Sequence, residues 1–336
     1  MCFCVHRNSR KSLVFQTMIT EALVANPEIL PVISLTSDAQ QRLRMDMILP
    51  GIITSPMSVH AFKQIKEVRG KRCDYVGWIM QASLSELSKE ERAMRYFVRC
   101  SNLFSQMSMG RNQQSLRFLI ESHSLALSYA QILAVIKEST LPYFIRARYF
   151  KLMCVLYVDR DPQQQTAQIQ HTRVWCKVTP EASDLDMAIT SQSAHIPVCT
   201  TEFLDLMQYV LEELPRLADC VDGAGKTSLS SGPLQGQLEM IKAEIALVDQ
   251  LVEFGFFVNK EDPEDFSRFG VVMGALFAIL DIHGEHGQET PETHSSLEGA
   301  LKNEVRSEAL KTVLRIFDLR LNMVCFLEKD VSYRGI

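Results

Sequence analysis

The 336-residue chain has no CxxC pair and no N-x-[ST] sequon, and its nine cysteines stand singly. An odd number of isolated thiols excludes a disulfide framework and points to a reducing compartment. Cys2 and Cys4, with His6 nearby, have no second cysteine pair to complete a metal set and read as a frayed terminus. Apolar runs of membrane length are missing too. The longest, GVVMGALFAIL (270–280), falls short of the roughly 20 residues that a spanning helix needs. The amino-terminal MCFCVHRNSR leads into SLVFQTMITEA, where Gln16 and Glu21 interrupt any signal-peptide pattern. Excess basic charge is absent: the formal net charge is −5 and the pI near 5.9. That leaves no electrostatic footprint for nucleic acid or for an anionic membrane surface. Strand signals are sparse. No Asn-Gly or Asp-Gly hairpin separates alternating runs, and only VWCKV (174–178) reads as extended.

What is present is a globular balance, 46% hydrophobic and 22% charged, sufficient for a large core. Its organisation is helical period, repeated. Tyr129, Ile132, Leu133 and Ile136 form one stripe; Ile145, Tyr149, Leu152, Met153 and Leu156 form the next. Between them, in STLP (139–142), Thr140 suits a cap and Pro142 a first helical turn. Further stripes are Phe203, Leu204, Met207, Leu211, Leu214 and Leu234, Leu238, Ile241, Ile245, Val248, Val252, the latter with a stop at Gly255. Two more are Phe266, Phe269, Met273, Leu276, Leu280 and Leu310, Val313, Phe317, Leu321, Val324. The pattern predicts an all-α chain whose consecutive amphipathic helices stack into an irregular superhelix. Residues 1–85, broken at Pro31 and Pro50, have weaker period and read as a helical segment; 86–336 form the main helical domain. ITSQSAHIPVCT (189–200), DGAGKTSLSSGPLQGQ (222–237) and HGEHGQETPETHSS (283–296) put exposed loops near 183–200, 222–237 and 283–296.

Each candidate for chemistry loses to a structural reading. GAGKT (223–227) ends like a phosphate loop, yet Cys220 stands where the first glycine belongs and a helix precedes it instead of a strand. Lys226 is therefore read as a linker residue. His283 and His286 in HGEHG sit among helix-breaking glycines, and His294 nearby completes no ligand set. His171 and Cys176 are the nearest approach to a nucleophile pair, with Trp175 between them favouring packing. Met107 and Met109 read as core filler. Arg146, Arg148 and Lys151 read as a solvated basic face, with Arg146 or Arg148 available to the acids of the next corner. No catalytic set, cofactor or metal site is expected. The corner itself is VDRDPQ (158–163): Pro162 cannot continue a helix, and Asp159, Arg160 and Asp161 can satisfy the turn's free backbone groups.

The run LPYFIRARYFKLMCVLYVDRDPQQQTAQIQHTRVWCKV (141–178) resembles the inositol trisphosphate receptor family, intracellular calcium-release channels, at its RIH (ryanodine–inositol-trisphosphate receptor homology) domain. The pattern falls on Leu141, Pro142, Arg146, Ala147, Tyr157, Val158, Asp159, Arg160, Asp161, Pro162, Gln163, Arg173 and Trp175. RYFVRCSNLFSQMSMGRNQQSLRFL (95–119), TEFLDLMQYVLEEL (201–214), LVDQLVEFGFF (247–257), LFAILDI (276–282) and KTVLRIFDLRLNMVCFLEK (311–329) are similar to the flanking family helices. The resemblance covers roughly 90–330 and leaves the first 85 residues unmatched. It implies an armadillo-like solenoid on the cytosolic face of the endoplasmic reticulum. Such a solenoid couples ligand binding to pore gating within a tetramer, and its partners are other domains and subunits of the same channel. No ligand-contact or selectivity residue carries over, because neither a strand-rich basic ligand domain nor a pore segment is in the sequence. The other reading is a stand-alone helical-repeat scaffold, soluble and cytosolic, that binds proteins and conducts nothing.

Overall fold

The computed structural model describes residues 6–38, 42–63, 65–68, 71–159, 203–222, 235–253, 263–280 and 300–317. Ten α-helices lie among them: α1 (His6–Ala25), α2 (Tyr75–Gln81), α3 (Lys89–Ser108), α4 (Gln113–Glu121), α5 (Tyr129–Lys137), α6 (Tyr143–Met153), α7 (Leu204–Asp222), α8 (Gln235–Glu253), α9 (Pro263–Leu280) and α10 (300–317). The strands are β1 (Val32–Ser37), β2 (Leu43–Leu49), β3 (Ile53–Ser58), β4 (Ile65–Val68) and β5 (Lys71–Asp74).

The expectation of an all-α chain is therefore corrected over 32–74. β1, β2 and β3 form an antiparallel sheet in chain order, with Met47 opposite Ile33 on one side and Met57 on the other. β4 and β5 pair as a separate antiparallel hairpin. β2 reads LRMDMIL: Met45, Met47 and Leu49 are buried, and Arg44, Asp46 and Ile48 between them are not. That is the period-two burial of a one-sided sheet. Two of the inward residues are methionines, which carry no β-branch, so propensity gives little sign of the strand. The turn into β3 passes through Gly51, whose φ of +82° a side chain rarely adopts.

The helical periods hold on α5, α6 and α8, while on α7 Met207 and Leu214 are buried but Leu204 is exposed. Ile132 and Ile136 of α5 are buried, as are Ile145, Tyr149, Leu152 and Met153 of α6. On α8, Leu238, Ile241, Ile245, Val248 and Val252 all face the core. α6 is the central element, packed against α3, α5 and α8 and buried nearly all round although it carries Arg146, Arg148 and Lys151. A helix with no solvent face is the expected middle of a stack. α7 packs on α9 and runs on through Pro215 to Asp222, past the stripe's last residue, Leu214. Strand β3 meets α3, and β1 meets the 3₁₀ turn His123–Leu125, so sheet and helices share one core.

Three local readings need correction. Thr140 caps nothing: Pro142 is the N-cap of α6, and the Thr140 hydroxyl bonds Glu138 and His60 instead. Met107 is buried but Met109 is exposed. On α10 the buried residues are Leu301, Val305, Ala309, Thr312, Val313 and Ile316, leaving Leu310, Leu314 and Phe317 in solvent. The helix carries two apolar faces, and Lys311 and Arg315, reaching Asp249 on α8, select which one turns inward.

No single helix among the described residues is long and apolar enough to cross a membrane. The bent pair Gln113–Glu121 and His123–Lys137, 71° apart, passes by composition, but its Leu116, Leu119, Val135 and Ile136 are buried in the core. The expected loops near 183–200 and 283–296 lie outside the described residues, as do VWCKV, Gly255 and the GAGKT and HGEHG segments. Of 222–237, Asp222 closes α7 and residues 235–237 open α8.

Candidate functional site

The most unusual chemistry is where four helices meet around Arg146. The last four carbonyls of a helix have no partner within it. α5 ends at Lys137, so the Ile136 carbonyl is one of these orphans, and Arg146 on α6 donates to it through Nε at 2.9 Å. Arg146 also donates through Nη2 to the Tyr209 hydroxyl at 2.8 Å, and its guanidinium lies 3.6 Å from the Glu213 carboxylate. Tyr209 and Glu213 are one turn apart on α7, so both project toward α6. The Tyr209 hydroxyl in turn donates to the Ile136 carbonyl at 3.4 Å. Arg146 itself is only 3% exposed. It is thus a buried, charge-assisted tie between α5, α6 and α7 and not the solvated basic residue its neighbours suggest. Arginine suits this role, because its rigid fork serves several acceptors at once.

A second acid completes the cluster. Glu244 of α8 is 0% exposed, and neither of its carboxylate oxygens accepts a hydrogen bond. Burial first, then the Glu213 charge, push its acid up to about 8, while Arg146 opposes the shift. Burial, with Glu244 next, likewise raises the Tyr209 phenol. Around one arginine stand two carboxyl groups, and only one of them is paired.

Farther along α8 the arrangement reverses. Asp249 is equally buried but meets two cations of α10, Lys311 at 3.3 Å and Arg315 at 3.0 Å. Arg315 also pairs with Glu253, and Lys242 with Glu304. These ties were not legible in advance, since they join residues about 60 apart.

The VDRDPQ corner is described as far as Asp159. A π turn, Cys154–Val158, ends α6, closed by the Asp159 N–H donating to the Cys154 carbonyl at 2.7 Å. Val158 is buried, and Asp159 accepts from Arg111 Nε at 2.8 Å, tying the corner to the α3–α4 link. Arg111 has a φ of 62°, the left-handed region, within this link. Neither Arg146 nor Arg148 bonds Asp159, the described acid of the corner. About 20 Å of helical rise separates positions 146 and 159; Arg148 bonds Asn102 on α3 at 3.5 Å instead. Arg160, Asp161, Pro162, Gln163, Arg173 and Trp175 lie outside the described residues, as do His171, Cys176 and Lys226.

Among the described residues no three or more His, Cys, Asp or Glu side chains gather as a metal site requires. The Cys154 thiol is pushed up to about 12 by burial and by Asp159, Asp249 and Glu253, which holds it as thiol and not as nucleophilic thiolate.

The sheet is fastened to the stack by polar clips. Asp74 caps α2 by accepting from the Gly77 N–H and reaches across to the Gly236 N–H opening α8. A Cβ at Gly236 would lie 2.4 Å from Asp74 Oδ2 and 2.8 Å from the Phe144 ring, so glycine is required there. Burial raises the Asp74 acid, against those two donors. His60 accepts the Met45 N–H through Nε2 and meets Thr140 through Nδ1. Lys66 on β4 pairs with Glu91 of α3 at 2.7 Å and lies over the rings of Tyr75 and Trp78, 4.3 Å from each centroid.

No protein-family model matches this chain. Over 89 residues it is 33% identical to the inositol 1,4,5-trisphosphate receptor-like protein A of Dictyostelium discoideum. The matched stretch is 26% of this chain and 3% of that protein, a distant relationship over one segment.

Proposed function

We propose that this chain is a non-catalytic helical module of an inositol trisphosphate receptor-like calcium channel. It acts as a mechanical link that passes displacement from a ligand-binding region toward a pore. In this reading the helices form an armadillo-like solenoid on the cytosolic face of the endoplasmic reticulum and meet other domains and subunits of a tetramer. The observation that carries the reading is the 33% identity over 89 residues to a protein named inositol 1,4,5-trisphosphate receptor-like. The packing is compatible with it. α6 is buried over most of its surface, Arg146 ties it to α5 and α7, and Lys311 ties α10 to α8. Force transmission needs contiguous, stiff packing whose elements have discrete arrangements.

Sequencing of the full-length transcript tests the proposal. The expected result is a strand-rich, basic segment upstream and several apolar helices of about 20 residues downstream. A stop codon directly after Ile336, with a stable monomeric product that associates with no membrane fraction, overturns it in favour of the helical scaffold.

A further inference from the structure

The Arg146 cluster holds one buried cation and two carboxyl groups, with the exposed Arg216 at its edge 3.6 Å from Glu213. Arg146 spends Nε on the Ile136 carbonyl and Nη2 on the Tyr209 hydroxyl, with Glu213 as its charge partner. Tyr209 donates its proton to the Ile136 carbonyl. No hydrogen bond reaches Glu244, which is fully buried with both oxygens unbonded, and Arg146 attracts a charge there through space without bonding it. An isolated carboxylate in such surroundings costs far more than a neutral acid.

We propose that Glu244 is a proton-operated latch: protonated, it lets α8 pack against α6 and α7; deprotonated, it opposes Glu213 and loosens that junction.

The groups acting on Glu244 are Glu213 from α7, which repels its charge, and Arg146 from α6, which attracts it. Tyr209 of α7 faces all three. The cations that α10 offers to α8 engage other acids, Lys311 and Arg315 at Asp249 and Glu253. The acid's ordinary value of 4.5 rises to about 8 in the packed state. A folded group that binds its proton more tightly than the unfolded one gives stability that is complete below pH 4.5 and falls as pH rises toward about 8. The latch therefore loosens on the alkaline side. It requires no ligand and operates whether or not the chain belongs to a channel, so it goes beyond the proposed function.

The test is hydrogen exchange of the 336-residue chain from about pH 6 to about pH 9, corrected for the intrinsic rate, in the parent and in Glu244→Gln. Protection of α7 and α8 is expected to fall several-fold with rising pH in the parent and to stay level in the variant. An infrared band of a protonated carboxyl at neutral pH is expected in the parent and not in Glu244→Gln. Glu213→Gln supplies an independent arm. It releases Arg146 toward Glu244, so the loss of that band with pH moves to lower pH. Equal pH dependence in parent and Glu244→Gln overturns the proposal, as does a carboxyl band that Glu213→Gln leaves in place.

Discussion

The sheet over 32–58 and the helical stack from α3 onward reach burial by different means. In the sheet, one face is covered and the charges stay on the other: Arg44, 60% exposed, pairs at 2.9 Å with the half-buried Asp46. In the stack, ionisable groups go inside, with Arg146 and Glu244 sealed between helices. A one-sided sheet can leave every polar side chain on its wet face. The middle helix of a stack has no wet face, so any charge it carries must find partners within the core. The contrast explains why the sheet's ionic contacts are expendable and the stack's are structural.

The contrast is broken most sharply at Arg146. Arg146→Ala removes the buried cation between Glu213 and Glu244, leaving Glu213 only the exposed Arg216, and should lower stability by about 3–5 kcal/mol, read as a shifted urea midpoint. An unchanged midpoint would mean that the buried cluster contributes nothing. Leu152→Ala in α6 and Met47→Ala in β2 should each cost about 2–5 kcal/mol. Because sheet and stack share a core, both are expected to shift a single melting transition; two resolved transitions would divide the regions. At the clip between them, Gly236→Ala forces a methyl against Asp74 and Phe144 and should cost about 1–3 kcal/mol.

The clip between β4 and α3 and the buried core of the stack should also respond oppositely to pH. Burial opposes ionisation of Glu91, but hydrogen bonds from Lys66, the Ser88 backbone and Tyr75 outweigh it and hold the acid below 4.5. Its contribution is therefore present above pH 4.5 and lost as pH falls through the lowered value. Lys66→Met should flatten this acid limb in thermal melts without altering the alkaline decline assigned to Glu244. A melt in which Lys66→Met changes both limbs would show that the clips and the stack are not independent. The smallest effect is expected at the exposed pair: Arg44→Ala should change stability by no more than about 0.5 kcal/mol.

The stack was largely legible in advance because helical period is a local signal. Ile145, Tyr149 and Leu152 announce a buried face within a few turns, and α8 repeats the pattern over its length. β2 offered alternation of its own in Leu43, Met45, Met47 and Leu49 around Arg44 and Asp46. That signal is weak because methionine is a poor strand marker and the turn carries Pro50-Gly51 instead of a recognised hairpin dipeptide. The Arg146 site was missed for another reason. Arg146, Arg148 and Lys151 look like a basic helix face. Only the docking of α7 and α8, whose residues Glu213 and Glu244 lie 67 and 98 positions later (213 − 146 and 244 − 146), shows that Arg146 points inward.

Sequence alone determined the helical class of most of the described residues, the apolar faces of α5, α6 and α8, and the absence of a recognisable catalytic motif. These follow from spacing within single elements, where side-chain period and backbone geometry are coupled directly. Tertiary structure decided which face of α10 turned inward, which acid Arg146 received, and that Glu244 received no donor at all. Such outcomes depend on how separately folded elements dock, and desolvation gives a charge its energetic weight only once the neighbours that exclude water are in place.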